Sequence, residues 1–405
     1  MRDFGVNANT DIYYAGRGKY WDDVRLVRRN IYRKISGDPD VAFQEHFAAG
    51  RGRTFNKALM LNCGNGWVER ELFDIGLFEE VVGVDYGASL LDEARAEAAK
   101  KGMPATYYAM DANAAEFPAE GVDLVVNFAA AHHIAYIDRV FRALCALLPE
   151  DGWCFSYDYV GPHRNQYRAD AWEVAWQLNR SMPAHLRQDL SYPHLPTMLV
   201  VDPTEAIHSE LVLATFHRYF EVDELVLLGG AIAYPLLTLN EAMFAAPDDE
   251  EKLEWIRRIS AADEEFLAAH PESSLTAYFT GRPKKHVLAD DAALSRWSAE
   301  EDERELVARS EGGEYYPRTA LQDLTTTSEQ RRVEILRLEE ELERSRHAAA
   351  TAAEAAYELA AVRASITYRW AAWVAGTSVA RWAKGHRALR RAAGWASRRW
   401  LGIPH

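Results

Sequence analysis

From Lys57 onward the chain repeats one pattern, a short apolar run, a turn and then a stretch of helical period, and this alternation restricts the fold more than any other feature. The run "KALMLN" (57–62) predicts a buried strand, and "GWVERELFDIG" predicts a helix leaving it. "EVVGVD" (80–85) predicts a second strand, followed by the helical "SLLDEARAEAAKKG", in which Ser89 and Asp92 have capping-box spacing and Gly102 supplies the stop. "ATYYAM" (105–110), "VDLVVNF" (122–128) and "GWCFSYDYV" (152–160) continue the strand series, with "AYIDRVFRALCALLPEDG" helical between the last two. Strand and helix alternating at this spacing indicate the α/β class with a parallel, doubly wound sheet.

The pattern loosens after Val160. Residues 161–200 carry Pro162, Pro183, Pro193 and Pro196 among aromatic and basic residues, which predicts an insertion over the sheet (161–203). A helix over 204–219, a strand "EVDELVLL" (221–228), helices within 238–270 and a last strand "LTAYFTG" (275–281) complete a domain spanning 57–284. Helices around 20–48 form an N-terminal cover, 1–56, over one end of the sheet. Residues 285–327 are charged and unpatterned, as in a linker.

Over 328–363, Ile335, Leu342, Ala349 and Ala356 fall on heptad position a, and Leu338, Ser345, Ala352 and Leu359 on d. An Ala-rich seam of this kind makes a weak coiled coil, suited to self-association or to a single solvated helix. After Glu358 there is no acid, while nine Lys and Arg follow in an otherwise acidic chain of net charge −15. In the tail, 364–405, Leu389, Ala392, Ala393, Ala396, Trp400 and Ile403 share one helical face and Arg387, Arg391 and Arg398 lie opposite. A basic, Trp-edged amphipathic helix suits an anionic membrane interface, with packing on the acidic body as the plainer alternative. Nucleic acid is not an expected partner, because no nucleic-acid-binding motif accompanies the Arg cluster.

Three cysteines, Cys63, Cys145 and Cys154, fit neither a disulfide framework nor a paired zinc motif and favour a reducing compartment. The N-terminal residues lack a signal-type apolar core, and no run reaches the length of a spanning helix, so a cytoplasmic, peripheral location is expected.

"LNCGNGWVER" (61–70) places Gly64 and Gly66 between the first strand and the first helix, where backbone comes close to a ligand beside helix N–H groups. The turn alone is weak evidence. Asp85 ends the second strand, where a carboxylate accepts from both ribose hydroxyls, and Asp111 follows the third, in reach of an adenine amino group. A dinucleotide is the first alternative, but Glu69 stands where the third glycine of G-x-G-x-x-G belongs and suits a ligand carrying an amino group better than a pyrophosphate.

These residues resemble the class I S-adenosylmethionine-dependent methyltransferases. "LNCGNG" looks like the family's first motif, "VVGVD" its second, "MDAN" its third, and "VDLVVNFAAAHHI" its fourth strand and following loop. The likeness is close over about 55–160. "YDYVGPHRNQY", "DPTEAIHS" and "LLGG" extend it toward a bacterial subgroup associated with O-antigen and surface-polysaccharide biosynthesis. The resemblance implies a Rossmann-like, seven-stranded methyltransferase sheet with an inserted lid, and S-adenosyl-L-methionine as cofactor. It implies cofactor contacts from Asn62, Gly64, Asn65, Gly66, Glu69, Asp85, Tyr86, Asp111, Ala112 and Asn127. The family's motif begins with an acid and an earlier glycine where this chain has Met60 and Asn62, and Glu69 is in position to replace the missing charge.

Methyl transfer to a hydroxyl needs alignment behind the methyl group and a base. His132, His133, Asp158 and Tyr159 follow the fourth and fifth strands, so His133 or His132 is the expected base and Asp158 its orienting partner. The alternative for the histidines is helix capping and packing against the cofactor. Arg164, Gln166 and Tyr167 suit a sugar or phosphate-bearing acceptor, or else a plain surface loop, and the resemblance adds Glu205 to the acceptor pocket. Tyr159, Arg164, Gln166 and Glu205 are thus the expected substrate-binding set. No cluster has spacing that demands a metal, and none is expected.

The resulting expectation is an O-methyltransferase acting on a sugar of a surface glycan or lipid-linked polysaccharide at the inner face of the plasma membrane, with glycosyltransferases as partners. A soluble small-molecule methyltransferase of natural-product metabolism and a non-catalytic scaffold recruiting glycosyltransferases are the alternatives.

Overall fold

The computed structural model describes residues 19–193, 202, 204–245 and 249–310, together with Arg337, Arg344 and Ser345. The chain divides into two compact units, 1–333 and 334–405, and among the described residues the strands lie in the first. In the second, Arg337, Arg344 and Ser345 are helical. The expected coiled coil and basic tail otherwise lie outside the described residues.

Seven strands make one sheet: β1 (Phe55–Leu61), β2 (Phe78–Asp85), β3 (Ala105–Ala109), β4 (Leu124–Phe128), β5 (Trp153–Tyr159), β6 (Phe220–Gly229) and β7 (Thr276–Pro283), in the order β3-β2-β1-β4-β5-β7-β6. The apolar runs become strands because helices cover both faces, so the usual polar alternation disappears. In β1, Ala58 and Met60 join one buried cluster while Leu59 and Leu61 join the other.

Helices α1 (Arg25–Ser36) and α2 (Phe43–Arg51) pack on the Met60 face with α3 (Trp67–Asp74) and α4 (Ala88–Lys101). The centre of that face is aromatic. Phe43 stacks on Tyr157 at 4.9 Å with the rings 8° apart, and lies about 6 Å from Phe128, Phe155, Tyr32 and Tyr278. On the opposite face α5 (Ile137–Leu147) buries Val140, Phe141 and Leu144.

Three expectations change. The sheet is mixed rather than wholly parallel, because β7 runs antiparallel to both β5 and β6. The chain leaves β6 at Gly229 and re-enters at Leu275, whose N–H donates to the Gly229 carbonyl, so a strand starting where its neighbour stops must run back. The capping box at Ser89 is not the helix start: α4 begins at Ala88 with Gly87 as N-cap, and the Gly87 N–H donates to Asp85. Finally, the front of the expected linker is folded. Residues 285–289 form a 3-10 turn; α6 (Ala169–Ser181) lies within the insertion, and α7 to α11 follow it in order: Val212–Tyr219, Ala233–Leu237, Glu241–Phe244, Glu250–Ala269 and Asp291–Ser310. The last of these docks on α5, where Glu301 accepts from the Asp138 N–H, and reaches α7, where Glu300 pairs with Arg218. Charge that reads as solvated in sequence is here used to cap a helix. Among the described residues no helix is long and apolar enough to cross a membrane.

Candidate active site

The carboxyl ends of β1, β4 and β5 open into a cavity of about 610 Å³, within the size range of small-ligand sites. The floor comes from Met60 to Gly64, one wall from Phe128 to His133, and another from Tyr157 to Tyr159. The remaining wall is N-terminal: Tyr20 to Asp23, Arg28, Tyr32 and Gln44 all face the cavity. Sequence reasoning assigned those residues a covering role but no contacts. The acidic-aromatic run "YWDD" ahead of an amphipathic helix was the available signal.

The glycine turn is shaped by backbone conformations that favour glycine. Gly64 and Gly66 have φ of +56° and +76°, and Asn62 shares the left-handed region at +43°. A Cβ on Gly64 would meet nothing within 4 Å, whereas one on Gly66 would lie 2.7 Å from Glu69 Oε1 and 3.0 Å from the Tyr107 hydroxyl. The turn is therefore open at its first glycine and closed beneath its second. Asp85 fixes it from the side, accepting from the Gly64 N–H at 2.8 Å and the Gly87 N–H at 2.7 Å.

Several expected cofactor contacts hold the protein rather than face the cavity. Glu69 does not line it. The side chain is fully buried under Gly66 beside Tyr107, because the first turn of α3 points that position into the core. Asn127 is also buried, donating to Asp158 and accepting from the Ala131 N–H. Asp111 caps a 3-10 turn by accepting from the backbone and side chain of Asn113, and Asn65 donates to Glu93. Tyr86 is half exposed and Ala112 is buried, both outside the cavity lining. Asn62 and Gly64 do line it, and the carboxylates in the lining are Asp22, Asp23, Glu71, Asp158 and Glu205.

Burial pushes the Glu69 carboxyl from 4.5 up to about 7, against the lowering effects of its backbone hydrogen bonding and of Tyr107 and Arg70. A raised folded value means that the stabilisation linked to this group is complete below pH 4.5 and is lost as pH rises toward 7. Across that window wild-type stability is expected to fall by about 2–3 kcal/mol relative to Glu69→Gln, as read by urea unfolding at pH 5 and pH 8. Parallel pH dependences for the two proteins would remove this account of Glu69.

The structure brings His132, His133 and Asp158 together with Glu205. Asp158 is fully buried at the end of β5 and accepts from four donors: Asn127 Nδ2, the Ala131 N–H, His132 Nδ1 and the Tyr159 N–H, at 2.6–2.8 Å. Burial alone would lower the His132 value. The charge and hydrogen bond of Asp158, helped by Glu205 and Asp202, overcome it and hold the imidazole up at about 9. His133 is shifted down, by burial and by the neighbouring His132 charge, against the pull of Glu205 and Asp202. Its ring lies 4.1 Å from that of His132, and its Nδ1 is 3.1 Å from Thr204 Oγ1.

The acceptor residues separate into two groups. Tyr159 and Glu205 line the cavity. Arg164 and Gln166 do not: the loop carries Arg164 inward at φ +55°, where its guanidinium donates to the Glu205 carbonyl, and Gln166 donates to the Arg164 and Pro193 carbonyls. They shape the turn that presents Glu205.

Residues 59–156 match the family described as methyltransferase domain. These residues carry a methyltransferase domain. The match runs from within β1 to within β5 and includes the glycine turn, His132 and His133, with Asp158 two residues beyond its end. Comparison with curated proteins returns no match. Among solved structures, the chain is similar to an S-adenosylmethionine-dependent methyltransferase from Clostridium acetobutylicum, at 19% identity and TM-score 0.27 over 38% of this chain and 58% of the other. It is similar to the YcgJ protein of Bacillus subtilis, at 16% identity and TM-score 0.34 over 59% and 98%. A third is phosphoethanolamine N-methyltransferase 2 of Haemonchus contortus, in complex with phosphomonomethylethanolamine and S-adenosylhomocysteine, at 16% identity and TM-score 0.37 over 70% and 60%. The chain thus spans a little over half of the Clostridium and Haemonchus proteins.

Proposed function

We propose that this methyltransferase O-methylates a sugar of a surface glycan or lipid-linked polysaccharide at the cytoplasmic membrane face. The observation that carries the reading is the convergence of His132, His133 and Glu205 at one end of a cavity whose floor is the glycine turn. S-adenosylmethionine supplies an electrophilic methyl group on a sulfonium centre. The open backbone at Gly64 fits close approach of such a ligand, and Asp22, Asp23 and Glu71 are the cavity carboxylates available to its ammonium group.

The buried Asp158 fixes the charged His132 ring, and the neutral His133 imidazole with Glu205 takes up the proton that an acceptor hydroxyl must lose. Tyr20, Trp21, Tyr32 and Trp67 supply aromatic faces, of which Trp67 is 47% exposed, and these suit the apolar face of a sugar ring. The cytoplasmic membrane address rests on the Trp/Arg sequence of 364–405, and partner glycosyltransferases belong to the same reading.

One assay tests the function and its location. Full-length protein and a form lacking residues 364–405 are incubated with methyl-labelled S-adenosylmethionine and lipid-linked oligosaccharide in anionic vesicles. Expected are label in an alkali-stable O-methyl sugar and a tail-dependent rate on vesicles, with S-adenosylmethionine bound equally by both forms in calorimetry. Label appearing only in small soluble phenols or amines, or equal rates and equal vesicle binding for the two forms, would replace this reading with a soluble small-molecule enzyme.

A further inference from the structure

We infer that His132, His133 and Glu205 form a binding site for one divalent transition-metal ion, placed at the acceptor end of the cavity. The three side chains each offer one ligand atom, all within 4.8 Å of one another, and all three residues face the cavity. Both Nε2 atoms are 3.8 Å from Glu205 Oε2. An ion with bonds of about 2.0–2.2 Å at near-tetrahedral angles holds its ligands roughly 3.4 Å apart, so closure on these pairs asks only for small side-chain adjustments.

The surroundings match what imidazole ligands require. A metal-binding histidine commonly donates its other ring N–H to a carboxylate, a carbonyl or water, which fixes the ring and the tautomer. His132 does so through Nδ1 to Asp158 at 2.6 Å. His133 has the same arrangement through one hydroxyl: Thr204 donates to Asp202 at 2.7 Å, so its oxygen accepts from His133 Nδ1 at 3.1 Å. Both rings therefore turn Nε2 toward Glu205. Glu205 is fixed in turn, by Asn165 Nδ2 on Oε1 at 3.1 Å and by Arg164 on its carbonyl. A cation held by these three atoms keeps further coordination positions toward the cavity. Two imidazoles and one carboxylate select manganese, iron, cobalt or zinc over magnesium or calcium.

The role of the ion rests on the hydroxyl-methylation reading above, whereas its binding rests on geometry alone. With the ion bound, His132, His133 and Glu205 serve as ligands in place of proton acceptors, so an acceptor hydroxyl on the ion releases its proton to solvent and an oxygen lone pair forms the bond to the methyl carbon. The carbon–sulfur bond breaks with its electron pair remaining on sulfur, so no oxidation or reduction occurs.

Full-length protein stripped with a chelator and dialysed is titrated by calorimetry with zinc chloride or manganese chloride alone, and separately with S-adenosylmethionine. Expected is one saturable metal site per chain. His133→Ala and Glu205→Ala are expected to weaken it about 100-fold, and Asp158→Asn about 10–100-fold. Cobalt(II) added to the stripped protein should give visible ligand-field absorption that is lost in Glu205→Gln, a replacement that preserves side-chain size. No saturable site, or unchanged affinity in both Glu205 variants and His133→Ala, overturns the inference. Retained S-adenosylmethionine binding in that case leaves the methyltransferase reading intact. Unchanged turnover after metal removal overturns the activating role.

Discussion

Asp158→Asn is expected to lower turnover by about 10²–10⁴-fold while S-adenosylmethionine affinity stays within a few fold of wild type. Asp158 touches neither the glycine turn nor Asp85, so cofactor binding does not depend on it directly. It is a positioning residue, acting through His132. An amide in its place keeps the volume but brings its own N–H₂ against Asn127, the Ala131 and Tyr159 N–H groups or His132, whichever way it turns. The His132 ring then loses its anionic partner, which sets both the tautomer and the direction of Nε2. A merely structural role predicts a different result, a shared loss of stability and cofactor affinity with little effect on kcat in the remaining folded enzyme. Calorimetry with S-adenosylmethionine beside kcat and KM separates the two, and a kcat within threefold of wild type would end the assignment.

Phe43→Ala should give the largest stability loss, about 3–5 kcal/mol by urea unfolding. Phe43 lies between the N-terminal helices and the sheet, stacked on Tyr157 and near Phe128, and all three rings line the cavity. Deleting the ring leaves a void against strands whose other face is already covered, and the surroundings have little freedom to collapse into it. The same void opens the wall behind the reacting centre, so cofactor affinity and turnover are both expected to fall at temperatures where the variant remains folded. A loss under about 1 kcal/mol would mean that α1 and α2 are a detachable cover rather than part of the core.

The strand series was legible because burial on both faces leaves little choice of residue. "KALMLN", "EVVGVD" and "GWCFSYDYV" became β1, β2 and β5 with ends shifted by one or two residues. The glycine turn was legible for a similar reason, since Gly64 and Gly66 take backbone angles that few other residues tolerate. Helix orientation was not. Glu69 follows the turn closely in sequence, yet the first turn of α3 rotates it beneath Gly66, while Glu71 reaches the cavity. Arg164 looked like an acceptor ligand because a forked guanidinium suits a sugar or phosphate, but a left-handed backbone turns it inward to hold the Glu205 segment.

Sequence by itself therefore determined the elements that depend on local period and backbone conformation: the strands, the glycine turn, and the placement of His132, His133 and Asp158 at strand ends. Only the tertiary structure decided what depends on contacts between distant segments. These are the reversed β7, the N-terminal wall of the cavity, the docking of Asp291–Ser310 on α5, and the meeting of Glu205 with both histidines. The physical reason is that period and turn angles are written in neighbouring residues, whereas a cluster of side chains exists only once the loop carrying Glu205 closes over the end of the sheet.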